Sequence, residues 1–193
     1  MRRPIQFHLA VFALMLAGAC GGNTPPDTSP TTETGVVGGS LLMPPGEPFA
    51  PGVTVRVVGT SVSADVDSFG RFVLPNVPAG PLNLHFTGSG LGFGLEAGDI
   101  AGGETVTLTV RVETSALRIE AIARVRGSDA TIEGVIEASG ASGDTLPPNT
   151  IIVGGRSVQL PAGTAANLKP GMRVRATGTV SAAGIIARDL TIL

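Results

Sequence analysis

Short segments in which every second residue is apolar, separated by clusters of glycine and proline, set the folds open to this chain. In Val53-Thr54-Val55-Arg56-Val57 the three valines fall on one side. Leu82-Asn83-Leu84-His85-Phe86 repeats the pattern, and Thr105 to Val112 places Val106, Leu108, Val110 and Val112 together. A period of two belongs to a strand with one buried and one wet face, the usual condition of an antiparallel sheet. Turn signals divide the runs: Pro44-Pro45-Gly46, Pro51-Gly52, Ser68-Phe69-Gly70, Pro78-Ala79-Gly80 and Gly102-Gly103. With 42% hydrophobic residues, mostly aliphatic, there is material for a core. The fold class is therefore all-β, and residues 35–112 carry six or seven strands at a spacing that suits a sandwich.

One hairpin in that stretch has recognisable chemistry. In Val66-Asp67-Ser68-Phe69-Gly70-Arg71-Phe72-Val73-Leu74, Asp67 can accept backbone N–H groups across the turn and Gly70 can take a positive φ. Phe72 and Leu74 then alternate into the core, and Phe69 sits at the tip as the candidate ligand contact. Preceded by Gly52 to Val57 and followed by Asn76-Val77-Pro78-Ala79-Gly80, this run resembles a carboxypeptidase regulatory-like (transthyretin-like) domain. The resemblance implies a seven-stranded Ig-like sandwich serving as an accessory or display module, and it brings no catalytic residues. Asp65 and Asp67 also invite a calcium reading, but calcium takes six to eight oxygens from a dense acidic loop. Here two carboxylates flank the apolar Val66.

Residues 113–193 read as a second module. Leu117, Ile119, Ala121, Ala123 and Val125 alternate as a strand would, and 113–130 stays open as a connecting strand belonging to either unit. Further strands are expected at Thr131 to Glu137, Thr150 to Val153, Arg156 to Leu160, Met172 to Val180 and Gly184 to Leu193, with Ser139 to Gly143 flexible. The runs Ile132 to Ile136, Ile152 to Leu160, Leu168-Lys169-Pro170-Gly171-Met172-Arg173-Val174-Arg175-Ala176-Thr177-Gly178 and Gly184 to Leu190 resemble a small bacterial β-barrel domain, DUF5666. That resemblance implies an OB-like barrel of five or six strands. Such barrels often hold oligonucleotides by stacking bases on aromatic rings beside a basic groove. From Ser115 to Leu193 there is no Phe, Trp or Tyr, so the stacking platform is missing.

The N-terminus has a different character. Arg2 and Arg3 precede an apolar run, Leu9 to Leu16, and the small residues Ala17-Gly18-Ala19 lead to Cys20. This is the layout of a signal peptide, with an apolar run shorter than the ~20 residues a spanning helix requires. Leu16-Ala17-Gly18-Ala19-Cys20 resembles a bacterial lipoprotein signal, with Ala17 where leucine is usual and Leu16 one place early. The resemblance implies cleavage after residue 19 and lipidation of Cys20, with diacylglyceryl and palmitate-type chains. It also places the protein at the cell envelope, in the outer rather than the inner membrane because Gly21 follows the cysteine. Ordinary processing after Ala19 is the rival reading; it would leave an exposed thiol prone to oxidation. Residues 20–34, in which GGNTPPDTSPTTET follows the cysteine, hold nothing to bury and form a flexible tether.

Charge and residue counts narrow the function. Without the leader the chain has 11 basic against 15 acidic residues, and the arginines are scattered singly. Arg124 with Arg126, and Arg173 with Arg175, share strand faces and read as solvated surface rather than a phosphate-tracking stripe, so nucleic acid is not the expected partner. Beyond the leader there is one histidine, His85, expected as a solvated surface residue, and one cysteine. That pair supplies neither a tetrahedral zinc site nor a Ser-His-Asp arrangement of ordinary build, and no cofactor is implied. Gly88 to Gly94 lacks the strand-then-helix setting of a nucleotide fingerprint and reads as a flexible hairpin. The expectation is a non-catalytic envelope lipoprotein presenting β modules to a protein or an envelope polysaccharide. Strand addition at an exposed edge is the expected mode, with 117–126 as one place to look. A carbohydrate-binding module using Phe69, or an accessory subunit of an enzyme encoded elsewhere, are the alternatives.

Overall fold

The structure is a computed structural model that describes residues 33–47, 49, 52–88, 90–140 and 146–193; the proposed leader, Cys20 and the tether up to residue 32 lie outside the described residues. The chain is all-β. Seven strands come first: β1 Thr34–Leu42, β2 Thr54–Val57, β3 Ser63–Asp65, β4 Arg71–Pro78, β5 Gly80–Gly88, β6 Leu91–Ile100 and β7 Glu104–Val112. Six follow: β8 Leu117–Arg126, β9 Asp129–Ser139, β10 Thr150–Val153, β11 Arg156–Gln159, β12 Arg173–Ser181 and β13 Gly184–Ile192. Among the described residues there is one 3-10 turn, Thr164–Asn167, between β11 and β12.

Strands β3-β2-β5-β6 form one sheet, and β4-β1-β7-β8 begin a second, nine-stranded one. The alternating residues named above line the space between them: Val53, Val55, Val57, Leu82, Leu84 and Phe86 from one side, Val106, Leu108, Val110 and Val112 from the other, all buried. Phe72 packs edge-on against Phe86, ring centroids 5.5 Å apart, as aromatic pairs prefer. Gly39 is required beside them, because a Cβ there would sit 2.7 Å from the Phe72 ring.

The nine-stranded sheet then runs on through β9 and β12 to β13, β11 and β10, and β10 returns to pair with β9. The last five strands thus close a barrel in the order β9-β10-β11-β13-β12, with β11 and β13 parallel and every other neighbour antiparallel. Its interior is filled by Ile132, Ile136, Ile151, Val153, Val158, Val174, Ala176 and Ile185.

Strand β8 joins the two cores by means of a bulge. Val110 pairs with Ile119 but Thr109 pairs with Ala121, so Glu120 is an extra residue. Before the bulge Leu117 and Ile119 pack on the sandwich core; after it that duty passes to Ile122, while Ala123 and Val125 serve the barrel core. The strand expected from Leu117 to Val125 is present as β8, and with one extra residue it serves two cores on opposite faces.

Candidate functional site

Because β8 also parts from β9 beyond Gly134, the barrel stands away from the sandwich at one end and leaves a cleft of about 540 Å³. Its floor is the outer face of the nine-stranded sheet. Register places Arg71 of β4 opposite Ser40 of β1, Ser40 opposite Thr109 of β7, and Thr109 opposite Ala121 of β8. These four form one row across four strands. Leu42, Arg111 and Glu120 line the cleft at the next position along the strands, and Glu137 with the Gly154-Gly155 turn lines it from the barrel.

Charges in and around the row are mostly neutralised. Glu120 binds Arg111 at 2.8 Å and Arg118 at 2.7 Å, and Arg118 also reaches Glu113 at 3.2 Å. The Arg111 hydrogen bond, reinforced by Arg118, holds the Glu120 carboxyl below its ordinary range despite partial burial. Glu137 accepts the Gly155 N–H at 3.1 and 3.3 Å, with no cation on it among the described residues. Arg156 of the same turn donates to the Thr107 hydroxyl at 3.1 Å, tying the barrel hairpin to the sheet.

Phe69 stands at the outer end of the row. It is 76% exposed, and the Arg71 guanidinium lies 5.0 Å from its ring centroid. Asp67 fixes the hairpin: its Oδ1 accepts the N–H groups of Phe69 at 2.9 Å and Arg71 at 2.8 Å, and its Oδ2 binds the Arg71 side chain at 3.1 Å. The Arg71 backbone bond foremost, with the Phe69 bond and the guanidinium, lowers the Asp67 pKa. Asp65 is engaged elsewhere, with the Thr54 hydroxyl at 3.1 Å. Both carboxylates of the calcium reading are thus spent on the turn and on a cross-strand bond. Among the described residues no group of three or more His, Cys, Asp or Glu is placed to hold a metal, and no helix is long and apolar enough to cross a membrane.

Two surface expectations are corrected, at Arg124 and His85. Arg124 is not solvated: its side chain is 24% exposed, it bonds the carbonyl oxygens of Ala97 and Asp99 on β6, and it lies 3.4 Å from Glu104. Arg126, Arg173 and Arg175 keep their expected places on solvated strand faces, where Arg173 and Arg175 also grip Glu133, at 3.0 and 2.8 Å. His85 is half-buried between Arg56 and Gly94, with Nδ1 shielded and without a hydrogen-bond partner. Nor is 117–126 a free edge over its whole length: β7 pairs all of it and β9 pairs Ala121 to Arg126, which leaves only Leu117 to Glu120 unpaired on one side. Among the described residues the other open edges belong to β4, β6 and the three-residue β3.

Sequence reasoning named Phe69 and missed the row it adjoins. Arg71, Ser40, Thr109 and Ala121 are far apart in sequence, and only the β4-β1-β7-β8 register brings them together. The β1–β7 pairing is parallel and long-range, which no local signal announces. No protein-family model, curated protein or solved structure matches the chain.

Proposed function

We propose that this protein is a non-catalytic envelope lipoprotein whose β body is held at a membrane surface by lipid on Cys20 and offered to an envelope partner. In this reading residues 1–19 are the signal peptide, 20–34 the tether, and the body comprises a transthyretin-like sandwich and an OB-like barrel. The two four-stranded layers over one core support the first name. The barrel's strand order and the 3-10 turn between its third and fourth strands support the second.

The observation that carries the reading is the polarity of the body. The tether enters at Thr34, beside Pro78 and Gly103. The Phe69 hairpin and the cleft lie at the opposite end of β1, where Ser40 meets Arg71 and Leu42 meets Arg111. Eight residue steps of strand put about 26 Å between those ends. A body attached at one end and bearing its recognition features at the other is what display from a membrane requires. Two or more acyl chains on the cysteine make such an anchor stable where one would not. Gly21 in place of aspartate favours the outer membrane.

The test is mass spectrometry of the mature N-terminus together with fractionation of Cys20→Ser. An acylated Cys20, and a variant released from the membrane fraction, are expected. A free thiol at residue 20, or a Cys20→Ser protein that still sediments with membranes, would overturn the anchor.

A further inference from the structure

The row of Arg71, Ser40, Thr109 and Ala121, with Phe69 beside Arg71 at one end and the other three residues in the floor of the cleft, is a transverse path across the sheet. We propose that it binds an uncharged oligosaccharide chain running across the strands, with one sugar ring stacked on Phe69. The inference rests on the display reading and names the class of its partner.

Three features favour a glycan over a peptide. The row crosses the strands on a sheet face, so a peptide laid along it runs perpendicular to the backbones and finds no ladder to join; the unpaired outer edge of β4 lies at right angles to the row. What the face offers is side-chain chemistry: the hydroxyls of Ser40 and Thr109 in the floor, and the planar polar groups of Arg111 and Glu120 at the cleft. Hydroxyl-rich rings match such donors and acceptors, and the C–H face of a pyranose matches an exposed aromatic ring. Length agrees too: three inter-strand steps from Arg71 to Ala121 span about 14 Å, and the cleft of about 540 Å³ over Ser40, Thr109 and Ala121 gives the chain room beneath the barrel hairpin.

Charge selects a neutral chain. Arg71 is matched by Asp67, and Arg111 and Arg118 by Glu120 and Glu113. The remaining carboxylate, Glu137, repels polyanions such as phosphorylated or sulfated polymers. Phe69 needs no rearrangement to act, because Asp67 locks its hairpin and Arg71 covers one ring face while the ring stays exposed.

The experiment titrates the full-length protein with chitohexaose, cellohexaose and a maltohexaose control, alongside heparin and a mixed extended-peptide library. Separate arms with a neutral O-polysaccharide cut from its anionic core and with a neutral capsular polysaccharide identify the source. Saturable binding of at least one neutral oligosaccharide is expected, at least tenfold weaker in Phe69→Ala and absent in Ser40→Tyr, which fills the floor. Phe69 is exposed at a turn tip, so its variant keeps the fold, and thermal unfolding checks Ser40→Tyr. Failure of every glycan to bind, or wild-type binding by both folded variants, overturns the proposal. Capture of a library peptide at the row in place of any glycan also overturns it while leaving the display reading standing. Release of the native protein from membranes would be the separate failure of that reading.

Discussion

Gly154, in the turn between β10 and β11, lies so close to Ala121 of β8 that a Cβ at position 154 would sit 2.5 Å from the alanine Cβ. This is where the barrel hairpin rests on the sandwich sheet, and two small side chains make the approach feasible. Gly154 also has φ +56°, and Gly155 beside it φ +70° with open space around its Cβ direction. The two glycines therefore separate two costs. Gly155→Ala should lose about 1 kcal/mol from left-handed backbone alone. Gly154→Ala should lose that and a further 1–3 kcal/mol from overpacking, roughly. Urea unfolding gives both numbers, and Ala121→Gly should restore most of the difference in a double-mutant cycle. Equal losses at 154 and 155 would show that the hairpin does not bear on β8.

Arg124 closes the sandwich along its β6 edge, bonding the carbonyls of Ala97 and Asp99 from a strand of the other sheet. Its partner Glu104 also accepts the Ala101 N–H at 2.8 Å, which ties the following turn into the same network. Arg124→Gln should cost about 1.5–3 kcal/mol, the range for hydrogen bonds to a charged donor. Amide exchange should quicken in β6 near Ala97 and Asp99 more than elsewhere. Arg56→Gln, at an exposed position, is the control and should change stability by under about 0.5 kcal/mol. Unchanged exchange in β6 would remove the clamp from the account.

These two relationships mark how far the sequence could be read. Alternation located the strands well: Thr150–Val153 falls where expected, and the other barrel strands begin or end within a residue or two of their expected bounds. The Asp67 turn was legible because its chemistry is local, completed within five residues. The bulge at Glu120 was not. Ala121, Ala123 and Val125 keep an apolar period of two after it, but Ala121 lines the cleft and Ala123 and Val125 serve the barrel core, while Leu117 and Ile119 pack on the sandwich. A pattern of apolar residues records burial and says nothing of which core does the burying. The row at the candidate site was invisible for a related reason. Ser40 and Thr109 are unremarkable outward positions, and their meeting depends on a parallel pairing between strands separated by most of the sandwich.

Acid should weaken the body through Glu120 and Glu133. For Glu133 partial burial acts to raise the pKa, but the Arg175 and Arg173 hydrogen bonds outweigh it and the net shift is downward. A carboxyl whose folded pKa lies below its unfolded value contributes stability that is complete above the unfolded value and is lost as pH falls through the folded one. Stability should therefore be level at neutral pH and decline below about 4.5, the ordinary value for these glutamates. Both pairs are partly exposed, so each contact is worth about 0.2–1 kcal/mol after solvent screening. Urea midpoints taken from pH 7 down to about pH 3 measure the decline. The double variant Glu120→Gln, Glu133→Gln should start lower and show a shallower fall, and an equally steep fall in that variant would assign the acid sensitivity to other groups.

The bulge in β8 makes a specific demand on the sequence. Deleting Glu120 removes the extra residue and turns Val110–Ile119 and Thr109–Ala121 into consecutive pairs of one regular antiparallel register. Leu117, Ile119 and Ile122 then keep the sandwich face, and Ala123 and Val125 keep the barrel face. What the deletion forfeits is the pair of ion contacts from Glu120 to Arg111 and Arg118, about 1–2 kcal/mol in all, together with the extra local twist that a bulge adds. Glu120→Ala forfeits the same contacts and keeps the bulge. Both variants should therefore melt as one unit a few degrees below the parent, and close to one another. A deletion variant without a cooperative thermal transition, beside a Glu120→Ala protein that keeps one, would mean that the twist of the bulge, and not the pairing alone, holds the two cores on one sheet.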